Sequence, residues 1–356
     1  MNEERTDLFI GRKDGRDQGG VYLYTFENGV IVNRGNVFPV HGFTHIDISD
    51  DRTLMAVTGM EGDLDMLYML SISGETLSLI DKMHINAAND ICHVDISHDS
   101  KKVVLTDFRD SAVHLVDLDE KGRILSQKRI ELYGHSTSFR QEKSHPHSCF
   151  FSWDDRFVLA SDLGANRVFV IETDGENRIA DSWYGKDGIG QRHVAFGRDG
   201  NTVFSLCEIT GDIGVLEMSK DGKLKELSLD TYMKGYVPDY REPLTGGKVL
   251  PDNYLGSADI VVSDDGTKLF VSYRKTKKIA VHAIEGGTDI SHYEMMDTDG
   301  MVRSVKVSED SRFIFALGEE LWGETGRLEV FEKKEGLNYR RVAETMITDA
   351  FIMAVI

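Results

Sequence analysis

An aspartate recurs at Asp51, Asp99, Asp154, Asp199, Asp265 and Asp310, each time in a polar turn between two apolar runs. The intervals are 48, 55, 45, 66 and 45 residues. The surrounding segments align with one another: HIDISDDRTLMAVTG from His45, HVDISHDSKKVVLTD from His93, HSCFFSWDDRFVLASD from His147, RHVAFGRDGNTVFSLCE from Arg192, ADIVVSDDGTKLFVSYR from Ala258 and RSVKVSEDSRFIFALGE from Arg303. Val, Ile, Leu and Phe flank turns rich in Asp, Ser and Gly, which is the chemistry of antiparallel hairpins. A third strand follows each hairpin, among them AVHLVDL, RVFVIET, DIGVLEM, KIAVHAI and RLEVFEK, and a fourth segment leads onward. A repeat of this length made only of strand signals is a propeller blade.

Six full repeats leave both ends of the chain over. DLFIG and VYLYTF read as second and third strands without a first, and AFIMAVI reads as a first strand without a second. Together they make a seventh blade. The expectation is therefore an all-β, seven-bladed propeller spanning residues 1–356 as one domain, closed by N-terminal strands pairing with the C-terminal strand. Closure removes open sheet edges; an open β-solenoid is the alternative. The long interval before Asp265 marks an insertion over about 231–256, rich in Tyr, Pro and Gly, expected to form a loop over one face.

Composition narrows the function. A net charge of −19 argues against a nucleic-acid surface, which needs basic patches. The chain holds no apolar run of membrane-spanning length, and its start lacks the apolar core of a signal peptide, so a cytoplasmic location is expected. Cys92, Cys149 and Cys207 lie far apart in apolar runs and read as reduced, buried side chains.

In each repeat the innermost strand begins seven residues before the turn aspartate, and the returning strand ends eight or nine residues after it. Antiparallel pairing brings those two positions to the same rim. The first position holds Thr44, Cys92, His147, Arg192, Ala258 and Arg303; the second holds Gly59, Asp107, Asp162, Glu208, Arg274 and Glu319. One mouth of the channel thus gathers His147 with Asp162, Arg192 with Glu208, Arg274, and Arg303 with Glu319. Charged pairs at blade ends often serve as structural staples. Three arginines converging on one mouth of an acidic chain nevertheless point to an anionic ligand, because the guanidinium fork binds phosphate or carboxylate through two hydrogen bonds.

These residues also resemble a known family. FRQEKSHPHSCFFSWDDRFVLASDLGANRVFV, residues 139–170, looks like the signature of the lactonase-type seven-bladed propellers, which include 6-phosphogluconolactonases and carboxymuconate lactonizing enzymes. The matching positions are Arg140, Gln141, Pro146, His147, Asp162, Leu163 and Gly164, followed by Gly190-Gln191-Arg192-His193, Cys207-Glu208 and Tyr273-Arg274. Gln191 replaces a proline of the family pattern, and Cys207 and Tyr273 replace asparagines that lie near the site. The resemblance implies a catalytic set of His147, Arg192, Glu208 and Arg274, and hydrolysis of a sugar lactone, foremost 6-phosphogluconolactone. A carboxymuconate-type cycloisomerase, a lactonase for another substrate, and a non-catalytic interaction platform are the alternatives.

In the implied mechanism His147, with Asp162 behind it, serves as general base near neutral pH without a large pKa shift. Alternatively Glu208 is the base and His147 the acid. Arg192 and Arg274 stabilise the oxyanion or clamp a phosphate. Arg140, Asp162 and Arg303 are candidates for the remaining substrate contacts. The scheme needs no cofactor and no metal. The expected partner is a small anionic lactone, with no nucleic acid and no membrane, and the chain is expected to act as a monomer or homodimer. His145-Pro-His147 offers two imidazoles to a metal without a third ligand nearby, and GKDGIG at 185–190 echoes a dinucleotide loop without leading into a helix. Trp153-Asp154 sits in a hairpin turn, the wrong place for a WD repeat. Arg12-Lys13 and the following Asp-Gly-Arg read as a solvated loop.

Overall fold

The structure is a computed structural model that describes residues 5–14, 18–87, 90–236, 254–319 and 326–355. These residues form seven four-stranded antiparallel sheets. The innermost strands are His45–Ile48, Ile91–Ile96, Pro146–Phe151, Gln191–Phe196, Ser257–Val262, Met301–Val307 and Ala350–Val355. Each packs beside the next around the ring, and Ala350–Val355 packs beside His45–Ile48, so the toroid is closed. Blades are numbered one to seven in that order. The helical element among the described residues is a single 3-10 turn, Arg274–Thr276. Much of the insertion lies outside the described residues.

Closure follows the expected route. In blade seven Ala350–Val355 is the innermost strand and pairs with Arg5–Arg12, which pairs with Gly20–Glu27 and then Val30–Pro39. The two ends of the chain therefore complete one sheet, and unfastening either end exposes a strand edge on each side of the gap.

The repeated aspartates shape the turns. Asp51 Oδ1 accepts hydrogen bonds from Ser49 Oγ at 2.7 Å and from the Thr53 amide at 3.0 Å. The residue after each aspartate is left-handed: Arg52, Ser100, Asp155 and Ser311 have φ of 56–59°, and Gly200 and Gly266 take the same place in blades four and five. The carboxylate thus replaces backbone partners that the turn cannot supply, which offsets the cost of a left-handed non-glycine residue.

Large apolar residues fill the spaces between blades. Leu8, Ile10, Tyr24 and Phe26 of blade seven bury against Phe313, Phe315, Leu317 and Val330 of blade six, with Phe26 and Phe313 edge to face at 5.1 Å. Burying each such phenyl stabilises the fold by about 2–3 kcal/mol. Polar stitches between innermost strands supplement that packing. Asp47 Oδ2 accepts the Ile96 amide at 2.9 Å, Asp95 Oδ2 the Phe151 amide at 2.8 Å, and Asp259 Oδ2 the Val305 amide at 2.8 Å.

Candidate functional site

A β-bulge opens the innermost strand of six blades at one level. Ile91 and His93 pair with Asp107 and Thr106, which leaves Cys92 unpaired; in the same way Pro146 and Ser148 skip His147, Gln191 and His193 skip Arg192, and Val302 and Ser304 skip Arg303. Blades five and seven break register at the same level. A bulged residue is released from the two-residue alternation and its side chain is re-aimed. The bulge is what turns His147, Arg192 and Arg303 into the channel mouth while their neighbours stay in the sheet.

Glu208 is the centre of the constellation. It is 1% exposed. Arg192 Nε donates to its Oε2 at 2.8 Å, Arg274 Nη2 lies 3.5 Å from the same oxygen, and Arg140 Nη1 and Tyr254 Oη donate to Oε1, the latter at 2.7 Å. Each arginine is anchored elsewhere as well. Arg192 Nη1 donates to the Ala258 carbonyl at 2.8 Å, Arg274 Nε to the Gly256 carbonyl at 2.6 Å, and Arg140 Nη1 to Tyr254 Oη at 3.1 Å. Blades four and five thus supply the floor, and the segments that carry Arg140 and Tyr254 lie over it.

Electrostatics fix the protonation states. Burial alone raises the Glu208 carboxyl, but Arg140, Arg274, Arg192 and the Tyr254 hydroxyl overcome it and hold the group at about 2. Burial and Arg274 lower the Arg192 guanidinium to about 9, which leaves it charged at neutral pH. Three guanidiniums converge on one carboxylate, two of them, Arg192 and Arg274, buried. Such a concentration of fixed donors favours an anion or a developing oxyanion.

His147 faces the same space. Burial, then Arg192, His193, Arg303 and Arg140, push its imidazole well below its usual value. The ring is therefore neutral at pH 7, and the expectation of a nearly unshifted histidine is corrected. Its Nδ1 is buried and has no hydrogen-bond partner among the described residues. The expected dyad with Asp162 does not form. Asp162 is fully buried, and its oxygens accept from Ser144 Oγ, the His145 amide at 2.7 Å and the Ala165 amide at 2.7 Å. It holds the chain at the end of blade three and has no face toward a ligand.

Other expectations change for equally local reasons. Glu208 as proton acceptor conflicts with its depressed pKa and its three guanidinium partners. Cys207 and Tyr273 are both fully buried, Tyr273 in the apolar packing between blades four and five, so neither is open to the mouth. Cys92 is the half-buried member of three free cysteines and sits at the mouth. His145 does not join His147 toward a metal: its Nδ1 meets the Phe108 carbonyl at 2.9 Å and its Nε2 meets Glu142 Oε1 at 2.8 Å. Arg303 lies 3.6 Å from Glu319, as expected from position. Arg12 is buried rather than solvated, donates to Thr348 and covers the Tyr22 ring at 4.3 Å. Position alone did not single out Tyr254, although its Tyr-rich segment drew notice.

Beneath the mouth the channel widens into a cavity of about 290 Å³. His45, His93, His193 and Asp259 line it one residue along their strands from the rim positions, and Asp47, Asp95, Phe150 and Lys306 line it two residues further on. The rings pack against one another at an angle: His45 and His93 are 4.4 Å apart and tilted, His193 is 5.5 Å from His93 edge to face, and His193 is 5.5 Å from His147 and tilted. His193 Nδ1 also meets Asp259 Oδ1 at 3.1 Å. His193 thus packs against both the His147 ring and the cavity.

The sequence model described as "Lactonase, 7-bladed beta-propeller" matches residues 7–334. The chain belongs to this lactonase family. Among its relatives, the 6-phosphogluconolactonase of Bacillus subtilis is 26% identical over 247 residues, covering 68% of this chain and 66% of the relative. A Staphylococcus saprophyticus protein is 25% identical over 327 residues, covering 88% of this chain and 89% of its own length. Solved structures share the fold. The chain is similar to a Lactobacillus plantarum protein with a TM-score of 0.85 at 18% identity, and to the periplasmic gluconolactonase of Pseudomonas aeruginosa with a TM-score of 0.83 at 18% identity; each comparison covers 99% of both chains. No helix among the described residues is long and apolar enough to cross a membrane.

Proposed function

We propose that this propeller hydrolyses an anionic sugar lactone, with 6-phospho-glucono-1,5-lactone as the preferred substrate. The observation that carries the reading is the cluster in which Arg140, Arg192 and Arg274 surround the single carboxylate of Glu208 beside a neutral His147. Membership of the lactonase family and the Bacillus subtilis relative support the same substrate class.

The chemistry divides among the residues by protonation state. A neutral His147 accepts a proton from water as the water oxygen attacks the lactone carbonyl carbon. The carbonyl oxygen becomes an oxyanion, which Arg192 and Arg274 stabilise; rigid anchoring to the Ala258 and Gly256 carbonyls means little reorganisation is needed. The tetrahedral intermediate collapses, the ring C–O bond breaks, and the His147 imidazolium returns its proton to the departing hydroxyl. Glu208 does not move a proton. It holds three like charges together and sets their directions.

The test is hydrolysis of freshly prepared 6-phosphogluconolactone, measured against the spontaneous opening of the same lactone. The wild type is expected to exceed the uncatalysed rate, and Arg192→Ala to lose about 10²–10³ of that enhancement. A wild-type rate equal to the background sinks the reading.

A further inference from the structure

The cavity beneath the mouth is lined by titratable side chains that the proposed reaction does not use. His45, His93 and His193 are each more than nine-tenths buried and border it. Their tautomers follow from their partners. The Val94 amide donates to His45 Nδ1 at 3.4 Å, and the Cys149 amide donates to His93 Nδ1 at 3.5 Å. A backbone amide can only donate, so each Nδ1 accepts and the ring proton sits on Nε2. Burial holds both imidazoles well below their usual pKa, so both are neutral. His193 is the reverse case. Its Nδ1–H donates to Asp259 Oδ1 at 3.1 Å, which leaves Nε2 with a lone pair. No Nε2 of the three meets a hydrogen-bond partner among the described residues. The lining therefore offers a ligand two N–H donors and one acceptor from rigid, buried rings.

Two residues further along the strands the lining divides by blade. Blades one and two present Asp47 and Asp95, while blades three, four and five present Phe150, Ala195 and Val261. Two consecutive blades are thus acidic at this level and three consecutive blades apolar. Asp47 and Asp95 each spend one oxygen on the amide of the next innermost strand. Charge is muted here: burial, joined at Asp95 by the neighbouring Asp47, raises both carboxyls, and Lys306 of blade six shares the cavity. The lining continues to His98 and Trp153 in the hairpin turns, at the end of the innermost strands away from the mouth. Trp153 is 39% exposed there and stacks on the His98 ring at 4.8 Å. The cavity is therefore approached from the hairpin-turn face.

We propose that this cavity is a second binding site, separate from the mouth, for one neutral pyranose sugar entering from the hairpin-turn face. A hydroxyl both donates and accepts, so it can take the Nε2–H of His45 or His93 and give its own proton to a carboxyl or to His193 Nε2. The C–H face of the ring packs on Phe150 and Val261. A volume of about 290 Å³ suits one small molecule, since such sites begin at about 300 Å³. A metal ion is a poorer occupant, because two of the three imidazoles present a proton where a metal needs a lone pair. The cluster of metal-type donors among the described residues, Asp299, Glu329 and Glu344, is elsewhere. The site shares no residue with the cluster around Glu208 and does not depend on the lactonase reading.

The experiment titrates the whole protein with D-glucose by calorimetry and locates the sugar in a crystal grown with it. A dissociation constant on the order of 1 mM or tighter is expected, with the ring between the imidazoles and Phe150. His93→Phe removes one N–H donor and is expected to weaken binding roughly threefold to tenfold. Val261→Phe fills the apolar side and is expected to abolish it. Saturating 6-phosphogluconate is expected to leave the glucose titration unchanged; competitive displacement would put glucose at the mouth and overturn the proposal. The wild type decides the matter even where a variant does not fold, because no binding, or sugar seen at the mouth, overturns it as well. Folded variants that bind glucose like the wild type do the same. A protein that binds glucose in the channel but hydrolyses no lactone leaves this site standing and removes only the lactonase reading.

Discussion

Arg192 Nε lies 2.8 Å from Glu208 Oε2, and both residues are shut away from solvent, at 2% and 1% exposure. A buried pair of this kind is costly to break from one side, because the survivor is left as an uncompensated charge. Here the survivor on the basic side would be three guanidiniums. Glu208→Gln is therefore expected to lower both stability and turnover, by several kcal/mol and by about 10²–10³ respectively. Denaturant unfolding and lactone hydrolysis measured on the same preparation check it; a fully stable variant contradicts the structural role.

The pH dependence of stability follows from the same carboxylate. Its folded pKa, about 2, lies below the ordinary value of 4.5. The stabilisation is fully present above about 4.5 and is lost as pH falls through the folded value. It is on the order of 3 kcal/mol. Glu208→Gln should accordingly remove a share of the acid-induced loss of stability between pH 4.5 and 2. Urea midpoints across that range decide the point, and parallel curves for wild type and variant count against it.

The pH dependence of activity belongs to His147 instead. Its neutral form is the active one, and its pKa is held well below 6.5 by burial and by Arg192. The acid limb of kcat/KM is then displaced below pH 6.5, and hydrolysis at pH 6 retains nearly its neutral-pH rate after the spontaneous reaction is subtracted. A half-maximal point at 6.5 or above would show an ordinary, solvated histidine. Arg192→Ala should move the limb upward, since it removes the largest charge acting on the ring.

Asp162 separates stability from chemistry. Its two oxygens carry the His145 and Ala165 amides and the Ser144 hydroxyl. Asp162→Ala should cost on the order of 2–3 kcal/mol of stability. The activity of the molecules that remain folded should stay within a fewfold of wild type, in contrast to His147→Gln. A loss of 10² or more in kcat without a loss of stability would restore the dyad that the geometry lacks.

Much of this molecule was legible before its structure, and the residues that escaped did so for identifiable reasons. The turn aspartates set a common origin in six blades, and counting from them placed His147, Arg192, Glu208, Arg274 and Arg303 at one rim. Val, Ile and Leu runs at both ends announced the seventh blade. The burial of Arg12 escaped because that blade has no turn aspartate to count from: its innermost strand is the last in the chain and its second strand the first. The role of Asp162 escaped because its partners are backbone amides, and amides leave no trace in residue identity. The bulges were invisible too, since a one-residue slip in pairing changes no letter of the sequence. Tyr254 is fixed by the return of the insertion to the ring, which no repeat specifies.

The bulges have a consequence for how such a ring changes over time. A bulged residue makes no paired contact with the neighbouring strand, so replacing it alters the mouth while every ladder of the blade keeps its register. His147, Arg192, Arg303 and Cys92 show three chemistries in four equivalent sockets of one scaffold. New substrates can be explored one blade at a time, with the inherited framework absorbing none of the experiment.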